Sequence, residues 1–132
     1  MDEPVNVVLK FERAINSHDA GAVCSLLAPD SVFLDSLGNR IEDAAKMRPA
    51  WEGYFKMVPD YTISHSEILA GGDSVAVFGT AHGTFSKDGK LSKEDFFKIP
   101  AAWRAVVKDG RIALWQIFAD NEPLRIVMRR HS

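Results

Sequence analysis

Residues 100–119, PAAWRAVVKDGRIALWQIFA, contain two apolar runs separated by Lys108-Asp109-Gly110. Both runs are rich in β-branched and aromatic residues, which favour strands. Asp-Gly between two such runs is a strong hairpin signal, because both residues tolerate the positive φ that a tight turn requires. The sequence therefore predicts antiparallel strands over 100–107 and 111–119.

Two more strands are predicted immediately upstream. Residues 61–70 alternate loosely between apolar and polar, and Gly71-Gly72-Asp73 connects them to a second run over 74–85. Residues 86–93, SKDGKLSK, are polar and typical of a loop. The second half of the chain thus indicates a meander of antiparallel strands.

The first half has helical periodicity instead. A helix is predicted over 4–18, and Asp19 is a candidate N-cap for a second short helix that ends at Pro29. A third helical pattern over 47–58 stops at Pro59, and Pro49 within it predicts a start near Arg48 or a kink. Helices followed by a meander indicate an α+β fold, and the length suits one domain over residues 1–132.

Composition excludes several classes of protein. The net charge of −2 argues against nucleic acid or an anionic membrane as a partner. No apolar stretch reaches the roughly 20 residues that span a bilayer, and the acidic start MDEPVNVV lacks the pattern of a signal peptide. Cys24 is the only cysteine, which excludes an internal disulfide and fits a reducing compartment. We expect a cytoplasmic protein.

Several strings resemble the nuclear transport factor 2-like superfamily, namely INSHDAGAVCSLLAPDSVFLDSLG (15–38), VPDY (58–61), GTAHGTF (79–85) and KDGRIALWQIFADNEPL (108–124). That group includes SnoaL-like polyketide cyclases, steroid Δ-isomerases and limonene-type epoxide hydrolases. The resemblance implies a cone in which three N-terminal helices pack on a curved, mainly antiparallel sheet and enclose a pocket. It also implies a homodimer formed through the outer face of the sheet. Because this fold hosts both catalysts and binders, it does not fix the function.

Asp35 is the first candidate catalytic residue. The resemblance implies a general base here, because Asp35 lies five residues after Asp30 and three before Gly38, as the base of the steroid isomerases does. Such a base would need partial desolvation, which raises its pKa. The residues themselves leave another role open, since Asp35 stands where a strand meets a turn and could accept hydrogen bonds from nearby backbone N–H groups.

The rest of the isomerase machinery is not matched. The two hydrogen-bond donors that those enzymes direct at the substrate oxygen fall on Phe11 and near Ala102, and neither side chain can donate. The aspartate that activates water in the epoxide hydrolases falls on Ile117. The usual form of either reaction is therefore not expected.

Other polar residues are candidates for polarising a carbonyl oxygen. His82 and Tyr54 are the candidate donors, and Arg104 would select a carbonyl or anionic group. Each has an alternative role: His82 as a sheet histidine bonded to a neighbour, Tyr54 in the core, and Arg104 pointing outward at a subunit interface. Asp120 is expected to cap a turn.

The remaining predicted wall is apolar. If Ile117 faces the cavity, strand parity places Trp115 and Ala119 on the same face. The predicted substrate-binding residues are Phe11, Ile15, Trp51, Phe55, Trp103, Arg104, Trp115, Ile117 and Ala119. We expect no metal, because the four histidines include no i, i+4 pair, and no other cofactor.

The expected ligand is a small apolar or aromatic carbonyl compound. If the protein is an enzyme, Asp35 would move a proton on the carbon next to the carbonyl, which is isomerase- or cyclase-type chemistry. The alternative is a non-catalytic ligand-binding or dimerisation module of the same fold.

Overall fold

The computed structural model describes residues 3–131, which form four α-helices, six strands and one 3₁₀ turn. The helices are α1 (Pro4–Asn16), α2 (Ala20–Ser25), α3 (Ala44–Met57) and α4 (Glu122–Arg129). The strands are β1 (Leu27–Leu34), β2 (Arg40–Glu42), β3 (Thr62–Gly71), β4 (Ser74–Thr84), β5 (Phe96–Lys108) and β6 (Arg111–Ala119). The 3₁₀ turn covers Lys93–Asp95.

All six strands form one sheet in the order β2-β1-β6-β5-β4-β3. Every pair is antiparallel except β1 and β6, which run parallel. Irregular register in β1, β3 and β5 interrupts the ladders, and such irregularities bend a sheet. The α+β fold with a curved, mainly antiparallel sheet is therefore confirmed.

The hairpin that began the sequence analysis is confirmed. Lys108 pairs with Arg111, and the two turn residues have positive φ, 53° at Asp109 and 74° at Gly110. Alternate residues are buried along β5, whereas β6 buries Ile112 and Trp115, on either side of the register shift in this ladder. One face of the sheet, the inner face, lies under the helices, and we call the opposite face the outer face.

α1 covers the inner face with an apolar stripe. Val7, Val8, Phe11 and Ile15 are almost fully buried, and their spacing of three and four residues places them on one side of the helix. The Asn16 side chain at the end of α1 extends the edge of the sheet, since its amide donates to the Ile63 carbonyl (3.0 Å) and its oxygen accepts from the Ile63 N–H (2.9 Å). None of the helices within residues 3–131 is long and apolar enough to cross a membrane.

Two proline positions differ from the prediction. The second helix ends at Ser25, and Pro29 lies inside β1, where the register with β6 shifts between Leu27 and Val32. Proline lacks the N–H that a regular ladder needs, so it fits at this interruption. Pro100 lies within β5, which begins at Phe96, but β6 pairs with β5 only from Ala101 onward.

Two elements were not predicted at all. β2 has only three residues, and α4 follows the turn after β6. In α4, Pro123 lies in the first turn, where its missing N–H costs nothing, while Leu124 and Val127 are buried. α3 begins at Ala44, several residues before Pro49, rather than near Arg48.

Candidate ligand pocket

A cavity of about 290 Å³ lies between α3 and the inner face of the sheet. Its wall is mostly apolar, and its aromatic members are Phe33, Trp51, Tyr54, Tyr61 and Trp103. The Phe33 and Trp51 rings make an edge contact, with centroids 5.9 Å apart. Cavities of a few hundred Å³ with a mainly apolar wall are typical small-molecule sites.

Small residues on three adjacent strands leave room for this cavity. Ala81 on β4, Ala101 on β5 and Ala119 on β6 all line it, and Ala101 and Ala119 are cross-strand partners. Because side chains alternate along a strand, each of these alanines points to the inner face. A larger residue at any of them would fill the cavity.

Asp35 lies at the edge of the cavity, in the turn after β1. Its Oδ1 accepts from the backbone N–H groups of Leu37 and Asn39, both at 2.9 Å, and its Oδ2 accepts from the Asn39 side-chain amide at 3.0 Å. The Asp35 N–H donates to the Asn39 carbonyl at 3.0 Å. The carboxylate therefore holds its own turn together.

These hydrogen bonds decide the charge of Asp35. Partial burial raises its pKa, but the bonds from the Asn39 side chain and from the backbone of Asn39 and Leu37 outweigh burial and lower the pKa below the ordinary value. The predicted raised pKa is wrong, because the half-buried carboxylate accepts several hydrogen bonds that stabilise its charged form. Asp35 is ionised at neutral pH.

Tyr54 and Tyr61 differ from Asp35 in both hydrogen bonding and the direction of their pKa shifts. Both line the cavity, and their rings meet edge to face with centroids 4.9 Å apart. Among the hydrogen bonds of residues 3–131, none involves either phenolic hydroxyl. Burial raises the pKa of Tyr54 to about 12. Burial, reinforced by Tyr54, holds the pKa of Tyr61 well above its usual value.

The backbone around Tyr61 is firmly held. The half-buried His18 donates from Nε2 to the Tyr61 carbonyl (2.6 Å). Asp60 accepts from the Thr84 N–H (2.6 Å) and the Thr84 hydroxyl (2.7 Å). Gly83 lies so close that an added Cβ would be 3.3 Å from the Tyr61 Cα. The phenol is thus placed by rigid neighbours.

The open end of the cavity is formed by the segments that follow β1 and β6. Because these strands run parallel, both segments lie at the same end of the sheet. There the Asn121 amide donates to the Ser36 hydroxyl, and both residues line the cavity. Leu124 of α4 closes the wall on this side.

The structure brings part of the predicted site together. Of the predicted residues, those that line the cavity are Asp35, Trp51, Tyr54, Trp103, Ile117 and Ala119. The parity argument for β6 is confirmed, because Ile117 and Ala119 face the cavity and Trp115 is buried on the same side. Whether these residues touch a ligand stays a prediction.

Four predicted wall residues lie behind the wall instead. Phe11, Ile15, Phe55 and Trp115 are buried but do not line the cavity. Phe11 packs against Trp115, with ring centroids 4.7 Å apart, and Phe55 packs against Trp51 at 5.5 Å. They form the layer that supports the lining residues, so their placement as direct ligand contacts is wrong.

His82 and Arg104 lie on the outer face, so the prediction that they reach the pocket is wrong. His82 follows the inward-facing Ala81 and contacts the Phe96 ring, with centroids 5.9 Å apart. Arg104 is exposed and follows the buried Trp103. Alternation along each strand turns both side chains away from the cavity. Asp120 is exposed and accepts from the Glu122 N–H (3.0 Å), as expected of a residue that caps a turn.

Several lining residues were missed. Ala81, Ile99 and Ala101 follow from strand parity once the inner face is known. Tyr61 belongs to the loosely alternating run 61–70 but was not assigned to the cavity, and it directly precedes β3. Leu124 lies on a helix that was not predicted. Within the described part of the chain, no group of three or more His, Cys, Asp or Glu side chains is arranged to hold a metal ion.

The chain matches a known protein family and shares its fold with solved structures. A family model described as a SnoaL-like domain matches residues 8–115. No curated protein matches the chain significantly.

Solved structures share the fold at low sequence identity. IdmH, a candidate polyketide cyclase from Streptomyces antibioticus, is 24% identical with a TM-score of 0.79, covering 97% of this chain and 99% of that one. A SnoaL-like polyketide cyclase candidate from Shewanella denitrificans is 16% identical with a TM-score of 0.82, covering 96% and 97%. An LEH-like epoxide hydrolase from M. tuberculosis is 20% identical with a TM-score of 0.78, covering 96% and 90%. The predicted SnoaL-like resemblance is confirmed by the family model, and these solved structures share the fold.

Proposed function

The chain belongs to the SnoaL-like domain family, and from that premise we propose that it binds a flat, apolar or aromatic small molecule in the cavity under α3. The observation that carries this proposal is the cavity of about 290 Å³ with Trp51 and Trp103 in its wall. Aromatic walls favour flat ligands, because stacked and edge-on ring contacts add to the burial of apolar area. The few polar lining groups would orient such a ligand.

A variant that fills the cavity tests this proposal. Ala101→Leu places a larger side chain where Ala101 and Ala119 meet, and we expect ligand affinity to fall by about tenfold or more. Filling a cavity does not destabilise the fold, so the melting temperature should stay the same or rise. Ala70→Leu is the matched control, because Ala70 is exposed on β3 away from the cavity.

The measurement is quenching of tryptophan fluorescence, since two of the three tryptophans line the cavity. The panel contains steroids, polyketide-like aromatic compounds, terpenoids and substituted naphthalenes. Binding that is lost in Ala101→Leu and kept in Ala70→Leu supports the proposal. Absence of binding across the panel, or equal binding by both variants, contradicts it.

A second candidate function is proton transfer on the carbon next to a ligand carbonyl, with Asp35 as the base. One observation favours it: Asp35 is an ionised carboxylate that borders the cavity. Among residues 3–131, Asn39 is the one hydrogen-bond donor to its Oδ2, so this oxygen retains a lone pair for a substrate proton. Its lowered pKa makes it a weak base, so we rank this function below binding.

Hydrogen–deuterium exchange distinguishes these two functions. A ketone ligand is incubated with the protein in deuterated buffer, and NMR follows exchange next to the carbonyl. A base at Asp35 predicts exchange above the buffer rate that Asp35→Asn abolishes. Asp30→Asn, which removes an exposed carboxylate from β1, should leave exchange unchanged. Exchange at the buffer rate with bound ketone would reject catalysis and leave the binding function intact.

We also propose a homodimer through the outer face. Phe78, Ala102 and Phe118 are successive cross-strand partners on that face, and Phe78 and Phe118 are 40% and 52% exposed. A contiguous exposed apolar patch of this kind is typical of a protein interface. In sedimentation velocity, Phe118→Glu should give a monomer, while Leu91→Glu, an exposed site in the loop after β4, should not. A wild-type monomer would contradict the proposal.

The cytoplasm remains our proposed location.

A further inference from the structure

We propose that the cavity under α3 selects a flat ring system that carries a protonated alkylamine, with the ammonium group at the open end of the cavity beside Asp35. The proposal rests on the proposed binding function and names its ligand class. The charge at the open end and the aromatic wall each favour a cation over an anion.

The charge of the cavity wall comes from one residue. Of the lining residues within 3–131, Asp35 alone has a charged side chain, and none is Lys, Arg or His. Asp35 is ionised at neutral pH, because the hydrogen bonds that its carboxylate accepts lower its pKa. The wall therefore bears a single negative charge, which attracts cations and repels carboxylates and phosphates.

No basic side chain of the described residues offsets this charge. None of the ion pairs among residues 3–131 involves Asp35. Arg40, the basic residue nearest to it in the sequence, pairs with Glu42 at 2.7 Å and does not line the cavity. The donors from Leu37 and Asn39 are neutral N–H groups, so they stabilise the charge of Asp35 without cancelling it. A cationic ligand would supply the missing opposite charge.

The position of Asp35 fixes the orientation of such a ligand. Asp35 lies at the open end of the cavity with Ser36 and Asn121, whereas the rest of the wall is mostly apolar. An ammonium group at this end keeps part of its hydration, which it would lose deeper in the cavity at a large cost. Attraction to Asp35 does not require direct contact, because at about 0.1 M salt charges interact over about 10 Å.

The aromatic wall favours the same sign of charge. Phe33 lies two residues before Asp35, so strand alternation directs both side chains to the same side, and both line the cavity. The Phe33 ring meets Trp51 with centroids 5.9 Å apart. The faces of aromatic rings are electron-rich and attract cations. A carboxylate on the ligand would be repelled by Asp35 and by these ring faces alike.

The test compares three naphthalenes of nearly the same size. At pH 7, 2-(aminomethyl)naphthalene is a cation, 2-(hydroxymethyl)naphthalene is neutral and 2-naphthoate is an anion, and isothermal titration calorimetry measures their affinities. The amine should bind about three- to fivefold more tightly than the alcohol, as expected for a partly exposed ion pair, and the anion most weakly. Raising the salt concentration from about 0.05 to about 0.5 M should reduce the preference for the amine.

Asp35→Asn removes the charge but keeps an oxygen that can accept from the turn. It should weaken the amine about three- to fivefold, strengthen the anion and leave the alcohol unchanged. Asp30→Asn is the matched control, because it changes the net charge equally but removes an exposed carboxylate that does not line the cavity. If Asp35→Asn weakened all three compounds, the turn would be damaged, and the salt dependence of the wild-type preference would decide.

Equal affinity of the wild-type protein for the amine and the alcohol would overturn the proposal. So would a preference for the amine that ignores salt or that persists in Asp35→Asn. If other panel members bind but none of these three naphthalenes does, this inference fails and the binding function stands; if nothing on the panel binds, both fail.

Discussion

Asp35 and the pair Tyr54–Tyr61 border the same cavity, but their surroundings differ in every respect. Asp35 is half-buried and accepts three hydrogen bonds from Leu37 and Asn39. The phenols are buried and accept or donate none among the described residues. The pKa of Asp35 is accordingly lowered, and those of the phenols are raised.

The comparison teaches that a residue's match to a family's catalytic spacing and its availability for a ligand are separate properties. Asp35 has the spacing of a catalytic base, yet its carboxylate accepts its hydrogen bonds from its own turn. Tyr61 has no matching spacing, yet it is buried in the cavity wall and its hydroxyl has no hydrogen-bond partner among residues 3–131. The hydrogen bonds and charge of a side chain in the folded protein are therefore a better guide to a ligand than its spacing in the sequence.

The largest change in the free energy of unfolding is expected at alkaline pH. The two phenols have raised pKa values in the folded state, so the stability they contribute is complete below about pH 10 and is lost as pH rises through the folded values. A pKa of about 12 for Tyr54 corresponds to roughly 3 kcal/mol.

Urea unfolding between pH 8 and 12 measures this loss of stability. Because the chain has only two tyrosines, ultraviolet absorbance of tyrosinate reports this pair alone. Titration of either phenol near pH 10 in the folded protein would contradict their burial.

A medium loss of stability is expected when the packing around Tyr61 is disturbed at Gly83. An added Cβ at Gly83 would overlap with Val58 Cγ1 and crowd Asp60 Oδ1 at 3.3 Å. Gly83→Ala should destabilise the protein by about 1–3 kcal/mol, as crowding of a packed core does, and should weaken ligand binding in the cavity that Tyr61 lines.

Gly53→Ala is the matched control for this substitution. Gly53 lies in α3 with nothing within 4 Å of an added Cβ, so the change should stabilise the protein by about 0.5–1 kcal/mol. Chemical denaturation measures both variants. A neutral Gly83→Ala would show that the segment before β3 adjusts easily.

The smallest effect is expected at Asp35. Its folded pKa is lowered, so the stability it contributes is present above about pH 4 and is lost as pH falls through the folded value. Asn39→Ala removes the side-chain donor, and the Asp35 pKa should rise toward the ordinary value. NMR titration of the carboxyl carbon in the wild-type protein and in the variant measures it. An unchanged Asp35 pKa would mean that the backbone donors alone control it.

Local sequence patterns predicted the helices and turns whose conformation depends on residues close together in the chain. Asp109-Gly110 specified the hairpin because its turn needs positive φ, and the stripe of α1 followed from its apolar spacing. Pro29 misled the prediction, because a proline that usually ends a helix instead lies at an interruption of the β1 ladder. α4 was not predicted, because so short a helix is stable only when its apolar side packs against the rest of the protein.

The sequence by itself determined the α+β class, the family resemblance, the inward parity of Ile117 and Ala119, and the acid in the turn after β1. Only the tertiary structure decided which polar groups face the cavity. Strand alternation, anchored by the curved sheet, turned His82 and Arg104 outward. The turn after α3, in which the Tyr61 N–H donates to the Val58 carbonyl, brought Tyr54 against Tyr61. Spacing along a chain fixes local conformation, whereas the pairing of distant residues depends on packing that no local pattern contains.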